Sequence, residues 1–326
     1  YDVYGIGNAL VDTEFEVTED FLKEQGIEKG CMTLLDRKGH QSLSKTLRQR
    51  YEVKTQSGGG SAGNSMYALT QFGGKAFYSC KVANDHVGEY FLKELGHHNI
   101  KTNDHPKTAG ISGQCLIMVT PDAERTMNTY LGVSSDLSIS EIDLKAAKNS
   151  EYIYIEGFLV SSDSAKEAIM ELKDCAMSSN VKVALTFSDP AVVTHFREAI
   201  DDVLAGGVDL LFCNEEELKI WANTENFGEA CSKMSKIAKQ FAVTRGANGA
   251  IIFDGNKYIS ISPQRVTAIN TNGAGDMFAG AFLYGITQNF GFTKAGNFAS
   301  EASAKIVTQF GPRLISSEHS EIKERV

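Results

Sequence analysis

The 326-residue chain is short of the residues that mark special structural classes: it has one tryptophan, five prolines and six cysteines. Cys31, Cys80, Cys115, Cys175, Cys213 and Cys231 are scattered, with no Cys-x-x-Cys pair. That spacing supports neither a disulfide framework nor a thiolate zinc site, and buried free thiols are expected instead. The seven histidines offer only the adjacent pair His97 and His98 and no His-Glu-x-x-His, so a transition-metal site has no motif behind it. Positive charge is also scarce. With 32 Lys and Arg against 41 Asp and Glu, the formal net charge is −9, which argues against a general affinity for nucleic acid or anionic lipid while leaving room for a local basic pocket. No apolar run approaches the length of a membrane span, and residues 1–10 hold no basic stretch followed by a long apolar one. The expectation is a cytoplasmic monomer or homodimer whose partners are small molecules rather than nucleic acid or membrane. Internal repeats and low-complexity tracts are absent, and Gly58-Gly59-Gly60 is too short for a linker.

What is present is the composition of a chain folded almost throughout: 42% hydrophobic and 22% charged residues. From residue 152 onward, short β-branched or aromatic runs alternate with amphipathic segments. Strands are expected at 152–156, 183–187, 209–213, 241–244 and 250–253, and helices at 164–177, 195–204, 215–222 and 227–240. This is the pattern of an α/β fold, a parallel sheet covered by helices, with ligands bound beyond the carboxyl ends of the strands. In the first third, residues 3–6 read as a central strand, and 65–72 and 89–95 as helices. Residues 13–35 and 110–130 show strand-like alternation. They are expected to pair into a small discontinuous sheet covering the crevice, with 1–12, 36–109 and 131–326 forming the main domain; the alternative is an extension of the main sheet.

The densest signal is Asn270-Thr271-Asn272-Gly273-Ala274-Gly275-Asp276, followed by an apolar helical pattern and preceded by an expected strand at 265–269. Glycines at 273 and 275 let successive backbone N–H groups point at one anion, and the helix dipole adds to that field. A carboxylate beside a bound phosphate is explained if Asp276 is the general base for an attacking hydroxyl; the plainer alternative is an Asp that stabilises a helix start. Two other nucleotide motifs fail. Gly5-Ile6-Gly7 has Leu10 at the third glycine position of a dinucleotide fingerprint, which disfavours an NAD-dependent dehydrogenase, and Gly74-Lys75 is followed by Ala76 where a P-loop requires Ser or Thr.

Residues 270–276 resemble the carboxy-terminal signature Asp-Thr-x-Gly-Ala-Gly-Asp of the ribokinase-like (PfkB) sugar and nucleoside kinases. Gly59-Gly60-Ser61-Ala62-Gly63-Asn64, ahead of an expected helix, is similar to the amino-terminal one. The resemblance runs from Gly7 to about Gly311. It implies a three-layer α/β domain with a smaller β-sheet lid, phosphate transfer from ATP with Mg2+, Asp276 as catalytic base, and an anion hole made by Gly273, Ala274 and Gly275. Asn270 stands where the family commonly has Asp, near the monovalent-cation site of some members, which puts a potassium requirement in question.

Gly7-Asn8-Ala9-Leu10-Val11-Asp12 is similar to the Gly-Asn-x-Leu-x-Asp segment of adenosine kinases, which implies Asn8 and Asp12, with Gly59, Gly60, Ser61 and Asn64, as substrate residues. A carboxylate can accept from both vicinal hydroxyls of a ribose; on the residue alone, a turn Asp is an equal alternative. Residues 121–132 resemble the lid strand of bacterial adenosine-kinase-like members, which implies that Arg125 reaches the transferring phosphate; an exposed β-strand Arg is otherwise a solvated charge. Phe158, after Glu156-Gly157, is a candidate wall for a base or a core residue. Asn214 and Glu217 match the family's Asn-x-x-Glu, implying magnesium held through water at Glu217, with a plain helix cap as the alternative. Residues 243–250 resemble the family's nucleotide loop, so Thr244, Gly246 and Gly249 are expected there, the two glycines alternatively making a hairpin turn. Asn297, Ser300 and Ala304 are expected on a helix face toward adenine. The resemblance thus implies phosphorylation of the 5′-hydroxyl of a ribonucleoside, adenosine to AMP as in purine salvage. The alternatives are a fructokinase- or ribokinase-type sugar kinase, and a binding protein that has lost catalysis; retention of Asp276 with both glycines argues against the last.

Overall fold

Among the described residues of the computed structural model, 1–104 and 108–325, the β-branched and aromatic runs become strands β1 (Val3–Ile6), β2 (Leu10–Glu16), β3 (Met32–Leu34), β4 (Val53–Gly59), β5 (Ala76–Ser79), β6 (Gly113–Val119), β7 (Arg125–Tyr130), β8 (Tyr152–Glu156), β9 (Lys182–Thr186), β10 (Val208–Asn214), β11 (Ala238–Thr244), β12 (Ala250–Phe253) and β13 (Tyr258–Ile261). Residues 105–107 and 326, expected in the main domain, lie outside the described residues.

Eight strands form the main sheet in the order β13-β12-β11-β10-β9-β8-β1-β5. Neighbours from β5 to β11 are parallel, and β12 and β13 close the edge antiparallel. Period-two alternation splits β8 between two cores: Tyr152 and Tyr154 face one, Ile153 and Ile155 the other. The first core is closed by the helices Ser61–Gln71, Ala274–Thr287 and Phe292–Ile306, through Met66, Phe278, Phe282 and Phe298; the second by Asp163–Ser179, Arg197–Leu204 and Glu215–Ala222, through Ile169, Leu172, Ile200 and Trp221. The result is the three-layer α/β architecture expected.

The smaller sheet has the order β3-β7-β6-β2-β4. Its outer face packs Phe15, Leu116 and Met118 against Phe21 and Leu22 of the helix Glu19–Gln25 and Leu43 and Leu47 of the helix Arg37–Arg50. Its inner face presents Cys115 and Met127 to the crevice.

Several expectations shift. The small sheet starts at Leu10 rather than residue 13, and takes β4 and its covering helix from residues expected in the main domain. Residues 13–35 contain a helix, capped where Thr18 Oγ1 accepts from the Phe21 N–H and ended by Gly26 at φ 65°. The helix expected over 195–204 is broken at Phe196 into Pro190–His195 and Arg197–Leu204. The one expected over 227–240 ends at Met234, because the chain from Ala238 pairs with β10. Residues 265–269 form no strand: the main sheet already ends at β13, and 262–269 run exposed with Val266 and Ile269 facing out.

Candidate active site

A cleft of about 430 Å³ opens at the carboxyl ends of β8, β9, β10 and β11, roofed by the inner face of the small sheet, a size usual for small-molecule sites. Asp276 sits on its floor. The helix Ala274–Thr287 starts at Gly273, whose φ of 75° favours glycine and where a Cβ would lie 2.7 Å from Pro312 Cα. The helix Ser61–Gln71 starts at Gly60 (φ 84°), where a Cβ would lie 2.2 Å from the Asn8 carbonyl oxygen. The two helices cross closely enough that a Cβ at Gly280 would meet the Ser65 carbonyl oxygen at 2.3 Å. That packing brings Ser61 and Asn64 to Asp276: Ser61 Oγ donates to Oδ1 at 2.6 Å, and Asn64 Nδ2 donates to Oδ2 at 3.1 Å. Burial raises the Asp276 pKa; the two hydrogen bonds, Arg125 and Arg313 oppose the shift.

Asp12 lines the same cleft from β2, and a Cβ at Gly59 would come within 2.2 Å of its carboxylate, so glycine there makes room for it. Burial, and then Glu14, push its pKa up to about 8, with Arg313 acting the other way. Asn8 lines the cleft but its amide is braced: Nδ2 donates to Glu156 Oε1 at 2.9 Å and Oδ1 accepts from Ser134 Oγ at 3.1 Å. Glu156 also accepts from the Ala62 N–H at 2.8 Å, which ties the end of β8 to the start of the Ser61 helix. Its burial raises the pKa to about 7.

Sequence reasoning missed Glu156, Arg313 and Glu14. Glu156 carried a signal, a lone acid closing a strand otherwise made of large apolar residues. Arg313 had none, since its partner Asn64 is far away in the chain: Nε donates to Asn64 Oδ1 at 3.1 Å, and the guanidinium lies 4.7 Å from the Tyr67 ring centroid.

At the other end of the cleft, Asn214 and Glu217 form the capping box of the helix Glu215–Ala222. Asn214 N–H and Nδ2 donate to the two Glu217 oxygens at 2.9 and 2.8 Å, and Asn214 Oδ1 accepts from the Glu217 N–H at 2.8 Å. The cap and a place in the cleft wall therefore coexist in the same residues. Burial lifts Glu217 to about 8, Asp189 adds to that, and Arg125 offsets it. Arg125, Phe158, Thr244 and Gly246 all line the cleft. Gly249 does not: at φ 81°, with a Cβ position 2.1 Å from the Ile261 carbonyl oxygen, it is the hairpin glycine between β11 and β12. Asn297 is a correction. It lies exposed on the far side of its helix, in a separate depression with Gln264 and Phe292, because the inward face of that helix is taken by Phe298, Ala299 and Ala302 in the core. Among the described residues, no group of three or more His, Cys, Asp or Glu could hold a metal ion by itself, and no helix is long and apolar enough to cross a membrane.

A helix-borne carboxylate behind a Gly-Ala-Gly turn, in a crevice between a parallel sheet and a small β-roof, defines an ATP-dependent nucleoside or carbohydrate kinase, a phosphotransferase with an alcohol group as acceptor. The chain belongs to the pfkB family of carbohydrate kinases, whose pattern matches residues 36–319. It is 25% identical to the adenosine kinase of Saccharomyces cerevisiae, across 97% of each chain. Among solved structures, it is similar to the adenosine kinase of Sinorhizobium meliloti, at 30% identity and a TM-score of 0.94 over 100% of this chain and 99% of that one. A probable sugar kinase from Rhizobium etli CFN 42 gives 32% identity and a TM-score of 0.93 over 100% and 98%.

Proposed function

We propose that the chain phosphorylates the 5′-hydroxyl of a ribonucleoside, with adenosine the favoured acceptor and ATP the donor. The observation that carries the nucleoside over a bare sugar is the apolar part of the cleft lining, to which Met32, Cys115, Met127, Leu131, Phe158 and Phe196 contribute. A hexose or pentose would leave that surface bare, whereas a purine would cover it. The flat face of adenine suits apolar lining of this kind, and the adenosine kinases of Saccharomyces cerevisiae and Sinorhizobium meliloti give the assignment outside support.

In this reading Asp12 accepts from the ribose 2′- and 3′-hydroxyls and the 5′-hydroxyl lies against Asp276. Asp276 takes the proton as the 5′-oxygen bonds to the γ-phosphorus, the bridging P–O bond to ADP breaks, and ADP leaves with the electron pair. Successive N–H groups at Gly273–Gly275 and the fixed charge of Arg125 stabilise the equatorial oxygens. Raised basicity in a buried Asp276 suits proton abstraction near neutral pH. Magnesium fits the far end: Glu217 and Asp189 line the cleft, both with pKa values raised by burial, and Asp189 raises that of Glu217 further, a repulsion that a cation would relieve. These two carboxylates would hold its water shell, and the bound ion would neutralise phosphate charge. The test is ATP-dependent transfer to adenosine, inosine, guanosine, ribose and fructose in parallel. Adenosine should give the highest kcat/KM; preference for a free sugar would overturn the nucleoside assignment while keeping the kinase.

A further inference from the structure

β2 carries two buried acids two residues apart, and the mechanism uses only one. Period-two alternation puts Glu14 on the same face of the small sheet as Asp12, opposite Phe15. Glu14 is 1% exposed, and its carboxylate gathers three donors: Asn270 Nδ2 at 3.0 Å and the Gly311 N–H at 2.7 Å on Oε2, and Asn272 Nδ2 at 2.6 Å on Oε1. Asn270 is itself held to the loop, since its Oδ1 accepts from the Asn272 N–H at 2.9 Å. The segment so gripped is the one leading into Gly273, and Gly311 precedes the Pro312 that packs on Gly273. A second tie lies alongside: the N–H and Oγ1 of Thr271 both donate to the Ala123 carbonyl oxygen at 3.2 Å, in the β6–β7 turn two residues before Arg125.

We propose that Glu14 is a positioning residue for phosphoryl transfer. It fixes residues 270–272 against the strand that carries Asp12, so that the N–H groups at 273–275 and the carboxylate of Asp276 are set relative to the acceptor site rather than to their own helix alone. The inference rests on the reading of Gly273–Gly275 as the loop that holds the transferring phosphoryl group. The physical basis is capacity and geometry. Two hydrogen bonds from the loop and a third from Gly311 converge on one buried carboxylate and tie a segment without regular secondary structure to β2, and a displacement of 1 Å at such a loop can lower turnover by roughly 100-fold.

The chemistry of the clamp supplies its own control. Glu14→Gln turns one acceptor oxygen into an N–H2 group. With Asn270 and Gly311 both on Oε2, the new donor is left facing Asn272. Asn272→Asp alone sets two carboxylates against each other in a buried site. The Glu14→Gln/Asn272→Asp pair restores complementarity with the donor reversed and conserves net charge. The experiment measures, for the native chain and the three variants, the Kd of a non-hydrolysable ATP analogue with magnesium and no acceptor, the kcat of phosphate transfer, and Tm. Each single variant should weaken the ATP analogue or lower kcat by roughly 10- to 100-fold, the worth of a hydrogen bond to a charged group, and the double variant should recover most of the loss at similar Tm. Native values in Glu14→Gln, or a double variant no better than the worse single one, would overturn the proposal. If Glu14→Gln does not fold, Asn272→Asp against the double variant decides it. The nucleotide-binding arm needs no acceptor, so failure of the adenosine assignment leaves this test intact.

Discussion

The Nε–H of Arg313 donates to Asn64 Oδ1 at 3.1 Å, and that bond decides which end of the Asn64 amide meets the Asp276 carboxylate. With its oxygen held by the arginine, Asn64 presents Nδ2 to Asp276 Oδ2. Arg313 is held in turn by the face of Tyr67, whose hydroxyl donates to the Leu314 carbonyl at 2.8 Å.

Replacing Arg313 by Met should therefore act on Asp276, and through its charge on Asp12, from a position outside the residues that line the cleft. Arg313 lowers the Asp276 pKa, so its loss moves that pKa up. A general base works when ionised and activity falls as pH drops through its pKa, so the acid limb of the kcat/KM profile should move to higher pH, with kcat at neutral pH lower by roughly ten-fold. Arg313→Lys should retain much of the limb position and less of kcat, because an ammonium keeps the charge but not the fork that orients Asn64. A pH–rate profile unchanged in Arg313→Met would contradict the relay.

Asp12→Asn should separate binding from stability. The folded pKa of Asp12 is raised to about 8, against about 3.9 for a free Asp. Between these two values the folded state holds a proton that the unfolded state has released, so the native carboxylate weakens the fold progressively as pH rises from about 4 to 8, and constantly above that. Asparagine removes the effect. Ligand-free Asp12→Asn should then melt at or above the native temperature at pH 8.5, with the advantage vanishing near pH 4, while its nucleoside affinity falls at least ten-fold. Thermal melts across that range, with calorimetric titration of adenosine, check both halves.

Gly59→Ala and Gly60→Ala should each damage the acceptor site by geometry alone. A methyl group at residue 59 would overlap the Asp12 carboxylate and one at residue 60 the Asn8 carbonyl oxygen, each at 2.2 Å. At Gly60 the positive φ adds strain. Each change should lower stability by roughly 1–3 kcal/mol and raise the nucleoside KM. Gly275→Ala is the contrast: a Cβ there meets nothing within 4 Å, so stability should hold. Denaturant unfolding of the three variants tests the ranking.

The parts of the site that could be read from the sequence are those whose cause is local. Gly273 must adopt a left-handed conformation, Asp276 follows it in the first helical turn, and Asn214 caps the helix whose first turn holds Glu217; each lies within a few residues of its reason. Arg313 and Glu14 could not be read that way, because the groups that define them lie on other elements more than two hundred residues away in the chain. Asn297 was misplaced because helical spacing identifies a face without saying what that face meets. Residues 265–269 alternate like a strand but find no free sheet edge, whereas β4, with exposed Val53 and Lys54 and the glycines 58–60 at its end, has little apolar alternation yet pairs with β2 along its length. Edge strands are chosen by their neighbour, and that information is not in the strand itself.

The most direct measurement of the central claim is the single-turnover rate of phosphate transfer from ATP to adenosine by native protein and by Asp276→Asn, with ligand affinities measured alongside. Loss of a positioned general base should lower the rate by roughly 100- to 10,000-fold, while adenosine and ATP bind within a few-fold of native, since asparagine keeps the shape that Ser61 and Asn64 hold. Transfer by Asp276→Asn at the native rate would contradict the account.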